Sequence, residues 1–489
     1  MNNTPKPLDQ IKPLLTQQLI EDVCEWAIMH GVAFKQADNT ARHCPFSIAP
    51  TTLKRDMYQH LLKVTPLIAK LVSHVAEDHA FLQQTLSSMA KAEPFFARLM
   101  AMHAQLHSDG LQAKRQPLLL MRTDYMDDRE LGAKVIEFNG IAAGMAPFGQ
   151  RASELHRYLA EQWADATQPW QVNSQASYAD NHGMEQLALG IATAAKQVRA
   201  HFADEGKPLF LMVVQPNEDN VYDQHLLEQE LQKQGVRTVR RTFAQLSHQL
   251  SSGENHRLML DGIGGVDTVY LRAGYQESDY CDPEIEEINC CETLSQTRVF
   301  IEQHYVAMNA TIGQQLATSK SMQMILTEMP AQQYLHWGLT LEEAMLVKSV
   351  LAEMKPVTAQ TIEWFEQHAD QNQWVLKNQG EGGGHCIFGE QISEKLHQLK
   401  PHEYDAWALM QRLYPHERET PTVAVRDAKQ TIVDDLISEI GLFTAHYQGK
   451  PVTDFAGYAG YLIRSKPASE NEGGIHSGKG ILDSLMLVD

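Results

Sequence analysis

A chain of 489 residues is too long for one ordinary hydrophobic core and calls for two to four structural units. Its 43% hydrophobic and 21% charged residues are globular proportions, with no low-complexity tract and no internal repeat. The balance of 41 basic against 61 acidic residues, −20 in all, repels phosphate backbones and acidic membranes, so a nucleic-acid partner is not expected. The amino terminus has no apolar signal region and no run of about 18 uncharged apolar residues follows, so a soluble cytoplasmic protein without a membrane partner is expected. Six cysteines form no CxxC pair and read as reduced thiols, and the 22 histidines are scattered without H-E-x-x-H.

In chain order, the first hundred residues read as helix. Leu15, Leu19, Val23 and Ala27 recur at helical spacing, and Leu53, Met57, Leu61, Val64, Ile68 and Val72 do so again. From Gln116 the texture changes. The run Leu118, Leu119, Leu120, Met121 reads as a buried strand with Arg122 and Asp124 at its end. In a second strand over 135–139, Glu137 and Asn139 share one face. Two oxygen ligands on one face suit Mg²⁺, and a solvated strand face is the plain alternative. After a helix over 184–202, strands over 208–214, 236–240 and 266–271 alternate with a helix over 221–234 that ends at Gly235. That alternation points to a small parallel-sheet unit, and ligands in such sheets gather beyond the carboxyl ends of strands. Glu218, Asn220 and Gln224 follow the first of these strands, and Arg272 and Tyr275 follow the third.

Beyond Lys320 two helices are expected, then the stretch Lys377-Asn378-Gln379-Gly380-Glu381-Gly382-Gly383-Gly384 after the apolar run Trp374, Val375, Leu376. Glycines without Cβ let amide N–H groups turn toward an anion. Lys377 adds a point charge for a phosphate, and Glu381 is placed to hold the Mg²⁺ that accompanies ATP. A simple glycine hairpin is the alternative, and the spacing is not that of a P-loop. Strands over 431–438 and near 461–463 follow, with Arg464 and Lys466 on one face, and glycines return at 473, 474, 478 and 480 as a second candidate anion loop.

Together these stretches resemble the eukaryotic-type glutathione synthetases of the ATP-grasp superfamily. The resemblance runs nearly end to end, from Asp78-His79-Ala80-Phe81-Leu82 through Arg122-Thr123-Asp124-Tyr125-Met126, Ile136-Glu137-Phe138-Asn139, Asn220-Val221-Tyr222-Asp223-Gln224 and Glu381-Gly382-Gly383-Gly384 to Leu462-Ile463-Arg464-Ser465-Lys466. It implies a mixed α/β, ATP-grasp fold with an inserted parallel-sheet substrate domain: a helical region over 1–115, core over 116–205, the insert over 206–313, and core with glycine-rich lid over 314–489.

It also implies an ATP-dependent ligase that joins γ-glutamylcysteine to glycine through an acyl phosphate, working as a homodimer. By motif, Glu137, Asn139 and Glu381 would hold two Mg²⁺ ions. Lys320, Lys377 and Lys466 with the Gly382 and Gly383 amides would hold the ATP phosphates, Met410 to Leu413 the adenine, and Glu439 the ribose. Arg122, Glu218, Asn220, Gln224, Arg272 and Tyr275 would bind the dipeptide, Arg464 (with Arg122) would act at the reacting carboxylate, and Ile475 and His476 would meet the glycine carboxylate. The chain departs from the family at several of these points. Ala142 and Gly144 stand where serines are usual, His385 and Cys386 replace asparagines, and Ile475-His476 replaces two small apolar residues. A ligase with another acceptor, such as β-alanine, and a nucleotide-binding regulator without turnover are the rival readings.

Overall fold

The computed structural model describes residues 15–107, 113–282, 290–380, 386–471, 473–476 and 478–489. Helix α1 (Gln17–Met29) is followed by four short strands, β1 (Ala33–Lys35), β2 (Ala41–His43), β3 (Phe46–Ser47) and β4 (Thr51–Lys54), and then by α2 (Arg55–Val75), α3 (His79–Leu86) and α4 (Pro94–Leu106). Reading this whole region as helix therefore misses the strands. They are too short to show a period, and β3 and β4 are completed only by partners from the far end of the chain.

Strands β5 (Gln116–Asp128) and β6 (Gly132–Asn139) are joined by a tight turn, and α5 (Ala146–Gln162), β7 (Ser177–Tyr178) and α6 (Gly183–His201) follow. Next come β8 (Leu209–Val213), α7 (Val221–Lys233), β9 (Arg237–Arg241), β10 (Thr268–Leu271), α8 (Cys290–Glu302) and β11 (Ala307–Asn309). These strands are parallel, as the alternation requires, and β11 lies beside β5, so their sheet runs on into the central one.

Helices α9 (Ile312–Ala317) and α10 (Lys320–Glu328) follow. Lys320 is the first residue of α10, whose N-terminus is capped by the Ser319 hydroxyl.

A separate lobe holds β12 (Met354–Pro356), α11 (Ala359–His368), β13 (Trp374–Asn378), β14 (Cys386–Phe388), α12 (Gln391–Gln398) and β15 (Trp407–Gln411). Its sheet is antiparallel in the order β12-β15-β13-β14.

The chain returns as β16 (Thr422–Arg426), β17 (Lys429–Val433), β18 (Leu436–Tyr447), β19 (Tyr458–Pro467), β20 (Ile481–Asp483) and β21 (Leu485–Val488). The single strand expected over 431–438 is thus two, interrupted at Asp434-Asp435, where two adjacent acids favour a bend.

Eleven strands of the thirteen-stranded sheet follow the path β17-β16-β3-β20-β19-β18-β5-β11-β10-β8-β9, and β6 on β5 and the short strand Lys450–Pro451 on β18 lie off it. It separates two cores. Leu119, Met121, Leu209, Leu211 and Val213 point into one; Leu118, Leu120, Phe210 and Met212 point into the other. Burial on both faces is why these strands read as unbroken apolar runs. The small lobe has a core of its own around Phe365, Trp374, Leu376 and Leu409. Its other face, with Val375, Lys377 and Met410, turns toward the central sheet.

Candidate active site

Four neighbouring strands, β6, β5, β18 and β19, form the floor of the site. Register sets Asp124 opposite both Glu137 and Gly441, and Glu439 opposite Arg464. Period-two geometry brings every one of these side chains to one face. Asp124 is the hub. It accepts from Arg122 (Nε to Oδ1 2.6 Å, Nη2 to Oδ2 2.8 Å), from Arg464 Nη2 at 2.9 Å and from Asn139 Nδ2 at 3.1 Å. Arg464 also meets Glu439 Oε2 at 2.9 Å, and Lys466 Nζ meets Glu439 Oε1 at 3.1 Å. Gly441 is a requirement of this packing, because a Cβ there would lie 2.8 Å from both Arg122 Cδ and Asp124 Oδ1.

The cations close in from two further elements. Lys320 Nζ donates to Gly380 O at 2.9 Å and stands 3.8 Å from Glu137, while Lys377 Nζ donates to Ile136 O at 3.2 Å. Five cations thus surround three carboxylates among the described residues. Burial alone would raise the Glu137 carboxyl, but the fields of Lys320, Lys377, Arg464 and Arg122 bring it down to about 2. Glu439, likewise pushed up by burial, is held below its ordinary value by Arg464 and Lys466. Both stay ionised at neutral pH.

Above this floor lies a cleft of about 210 Å³ between the small lobe and β18–β19. Val375, Phe388, Met410, Leu413 and Ile437 line its apolar part, and Lys377, Glu439 and Lys466 its polar end. Apolar walls with a cationic end suit a flat aromatic base joined to phosphates. Gln411 N–H donates to Glu353 O and Arg412 N–H to Gln373 O, each at 2.8 Å, so these two amides are already committed. The glycine loop of the tail folds back here, with the Lys466 ammonium donating to Asn471 O at 2.9 Å and a Cβ on Gly473 lying 3.3 Å from Glu439. The next strands, β20 and β21, are buried parts of the two sheets, so the glycine-rich chain end is structured on both sides of its loop.

A second cluster of buried polar side chains adjoins the floor through Arg122, whose Nη1 donates to Gly144 O at 3.3 Å. Arg272, just after β10, pairs with Asp223 at 2.9 Å and faces Glu218 at 3.6 Å. It lies directly over Gly144, where a Cβ would come within 2.4 Å of its guanidinium. Burial raises the Glu218 carboxyl despite Arg272 beside it. Glu218 Oε2, Asn220 Oδ1, Asp223 Oδ1 and Arg272 Nε are all buried with no hydrogen-bond partner among the described residues. Each such atom costs about 1–3 kcal/mol unless a ligand or water satisfies it. Gln224 is buried in the same group, and the Tyr275 hydroxyl accepts from Gln215 at 3.0 Å. His476 reaches the same loop, with its Nδ1 3.3 Å from Asp219 and its ring 4.4 Å from Phe34, and Ile475 is buried beside it.

The structure therefore brings together Arg122, Glu137, Asn139, Lys320, Lys377, Glu439, Arg464 and Lys466. It also gathers Glu218, Asn220, Gln224, Arg272 and Tyr275 in the adjoining polar cluster, and sets Met410 and Leu413 on the cleft wall. Glu381, Gly382 and Gly383 lie outside the described residues, with Gly384 and His385. Sequence reasoning assigned no role to Asp124 or Asp223, which organise the two clusters. The Arg-x-Asp spacing at 122 and 124 was the available signal, since it sets both side chains on one strand face.

For a hard divalent cation, the donor set fits. Glu137 is ionised, and Asn139 spends its amide nitrogen on Asp124 and Arg122 O (3.1 and 3.5 Å), which turns its carbonyl oxygen outward.

The family model "Eukaryotic glutathione synthase, ATP binding domain" matches residues 14–487. A chloroplastic glutathione synthetase of Solanum lycopersicum is 28% identical over 100% of this chain and 88% of its own length. Glutathione synthetase of Homo sapiens is 28% identical over 97% of this chain and 96% of its own. Among solved structures, a glutathione synthetase-like effector from Globodera pallida in its apo form superposes with a TM-score of 0.71 at 20% identity, covering 98% of both chains. That likeness shows a shared fold.

Proposed function

The chain belongs to the eukaryotic glutathione synthase family, and we propose that it is the ATP-dependent ligase joining γ-glutamylcysteine to glycine, with release of ADP and phosphate. One observation carries the reading. The polar end of the cleft runs through a chain of paired charges, from Glu439 to Arg464, Asp124 and Arg122, up to a buried cluster around Arg272, five of whose polar atoms have no partner among the described residues. Phosphoryl transfer asks a protein mainly for alignment and charge neutralisation, and this chain of charges supports both.

In this reading ATP lies in the cleft with its base between Met410 and Leu413, its ribose at Glu439, and its phosphates toward Lys320, Lys377 and Lys466. The dipeptide lies over Arg272 and Arg122, satisfying Glu218, Asn220 and Asp223. Its glycyl-accepting carboxylate attacks Pγ, forming a C–O–P linkage and breaking the bond to ADP. The amine then attacks the carbonyl carbon and phosphate leaves. Arg464 stabilises the negative charge that builds up in both steps. Glu137 and Asn139, with Glu381, would hold Mg²⁺, which when bound neutralises phosphate charge. A homodimer in the cytosol completes the proposal; light scattering checks the first part. Among the described residues, no helix is long and apolar enough to cross a membrane.

The test is phosphate release by purified protein with ATP, Mg²⁺ and γ-glutamylcysteine. Release should require an added amine, with glycine ranking first in a panel that includes alanine and β-alanine. Pocket fit alone separates such neighbours by only about 1–3 kcal/mol, so the ranking, read with His476 in place, decides the acceptor. Release that is indifferent to the dipeptide would overturn the assignment.

A further inference from the structure

On α3 and α4, outside the lining of the cleft, three histidines that the sequence leaves scattered come together. His79 is the first residue of α3, His103 lies in the last turn of α4, and His107 is its C-cap. One ring nitrogen from each lies within 4.8 Å of the others. His79 Nδ1 and His103 Nε2 are 3.2 Å apart, close to the roughly 3.4 Å edge of a tetrahedron with metal–nitrogen bonds of about 2.0–2.1 Å. The rings of His79 and His107 stack at 3.4 Å, and those of His103 and His107 sit 4.6 Å apart.

Buried histidines ordinarily spend their ring nitrogens on carbonyls or carboxylates. Among the described residues, these three bond only to one another and to Gln83, whose Nε2 lies 2.9 Å from His103 Nδ1. Burial, with the charge of Arg115 and the neighbouring rings, pushes His103 and His107 down to about 3 and lowers His79 as well. All three are neutral at physiological pH, so each ring keeps one nitrogen without a proton. Glu77 and Asp78, just ahead of His79, offset the charge of Arg115.

We propose that His79, His103 and His107 form a binding site for a borderline divalent transition ion, foremost Zn²⁺, separate from the cleft and with a fourth position open to water. Imidazole nitrogens select such an ion over Mg²⁺, which prefers oxygen. Two local adjustments accompany uptake. Turning the Gln83 amide over puts its oxygen on His103 Nδ1–H and moves the ring proton there from Nε2, baring Nε2 for the ion. His107, half-buried at the helix end, swings off the face of His79 so that its lone pair meets the ion in the ring plane. The ion then ties α3 to α4 next to Ala76, whose carbonyl lies against Gly313 of the short helix that precedes Lys320.

The test uses the full chain stripped with chelator. Calorimetric titration with Zn²⁺ under saturating Mg²⁺ should show one ion per chain, and Co²⁺ should develop the visible absorption of low-symmetry nitrogen coordination. His107→Ala should weaken Zn²⁺ at least tenfold and abolish the Co²⁺ band, with circular dichroism confirming the fold. His107→Gln, which keeps more of the packing, should do the same, whereas His397→Ala in the small lobe should leave both signals intact. Absence of saturable Zn²⁺ binding in the unaltered chain, or unchanged affinity in His107→Gln, would overturn the site. Neither result bears on the ligase reading, which is assayed with Mg²⁺ alone.

Discussion

The floor of the cleft and the Arg272 cluster are both dense with buried charge, yet they are satisfied in opposite ways. On the floor every carboxylate already has a partner, through Arg122, Arg464, Lys320 and Lys466. In the Arg272 cluster five buried polar atoms, Gln224 Nε2 included, have none among the described residues. The contrast separates two kinds of preparation. The floor holds its dipoles in place whether or not a ligand is present, which is what stabilising a developing charge requires. The cluster carries a standing cost that a zwitterionic ligand would remove, which favours binding.

Substitutions can break this division of labour. The largest effect belongs to the floor: Arg464→Ala should lower kcat by about 100–1,000-fold while ATP affinity changes little. Steady-state kinetics beside direct nucleotide binding reads this, and a defect confined to nucleotide binding would assign Arg464 to the wrong step. In the Arg272 cluster, Arg272→Ala should raise KM for the dipeptide by about 10–100-fold and leave KM for ATP in place. It should also destabilise the ligand-free chain by about 3–5 kcal/mol, because Asp223 loses its buried partner.

A smaller effect sharpens the boundary between the regions. Gly144→Ser restores a hydroxyl common in the family, but its Cβ would meet the Arg272 guanidinium at 2.4 Å. Overpacking of this kind costs about 1–3 kcal/mol, so a lower thermal midpoint and weaker dipeptide binding are expected, not a gain. Arg272→Ala combined with Gly144→Ser should recover part of that loss of stability.

The smallest effect concerns pH and has opposite signs in the two regions. Glu137 is ionised down to about 2 in the folded chain against an ordinary 4.5, so its contribution is complete above 4.5 and is lost as pH falls toward 2. Glu218 is raised by burial, so the folded chain takes up its proton first, and stability falls as pH climbs from 4.5 through that raised value. Urea midpoints across acid pH should show Glu137→Gln flattening the lower limb and Glu218→Gln the upper one.

Much of this was legible before any fold was known. Glu137 and Asn139 on one strand face, Arg464 and Lys466 on another, and the parallel strands over 209–213 and 268–271 follow from period-two spacing and unbroken apolar runs. The strands at 46–47 and 51–54 were not legible, because two to four residues carry no period of their own. The histidine cluster left only a faint trace, the four-residue spacing of His103 and His107 that puts them on one helix face. His79, twenty-four residues earlier, gave no hint of joining them.

By itself the sequence determined which segments are strands with two buried faces, which side chains share a face, and which chemistry those residue types can perform, since all of these depend on neighbours a few positions away. Tertiary structure decided what those faces meet. The register between β5 and β18 made Asp124 the hub and demanded a glycine at 441, and the approach of β10 to the turn at 144 left Arg272 the room to lie over it. Pairing across three hundred residues is set by the closing of a whole sheet around two cores, and no local pattern contains it.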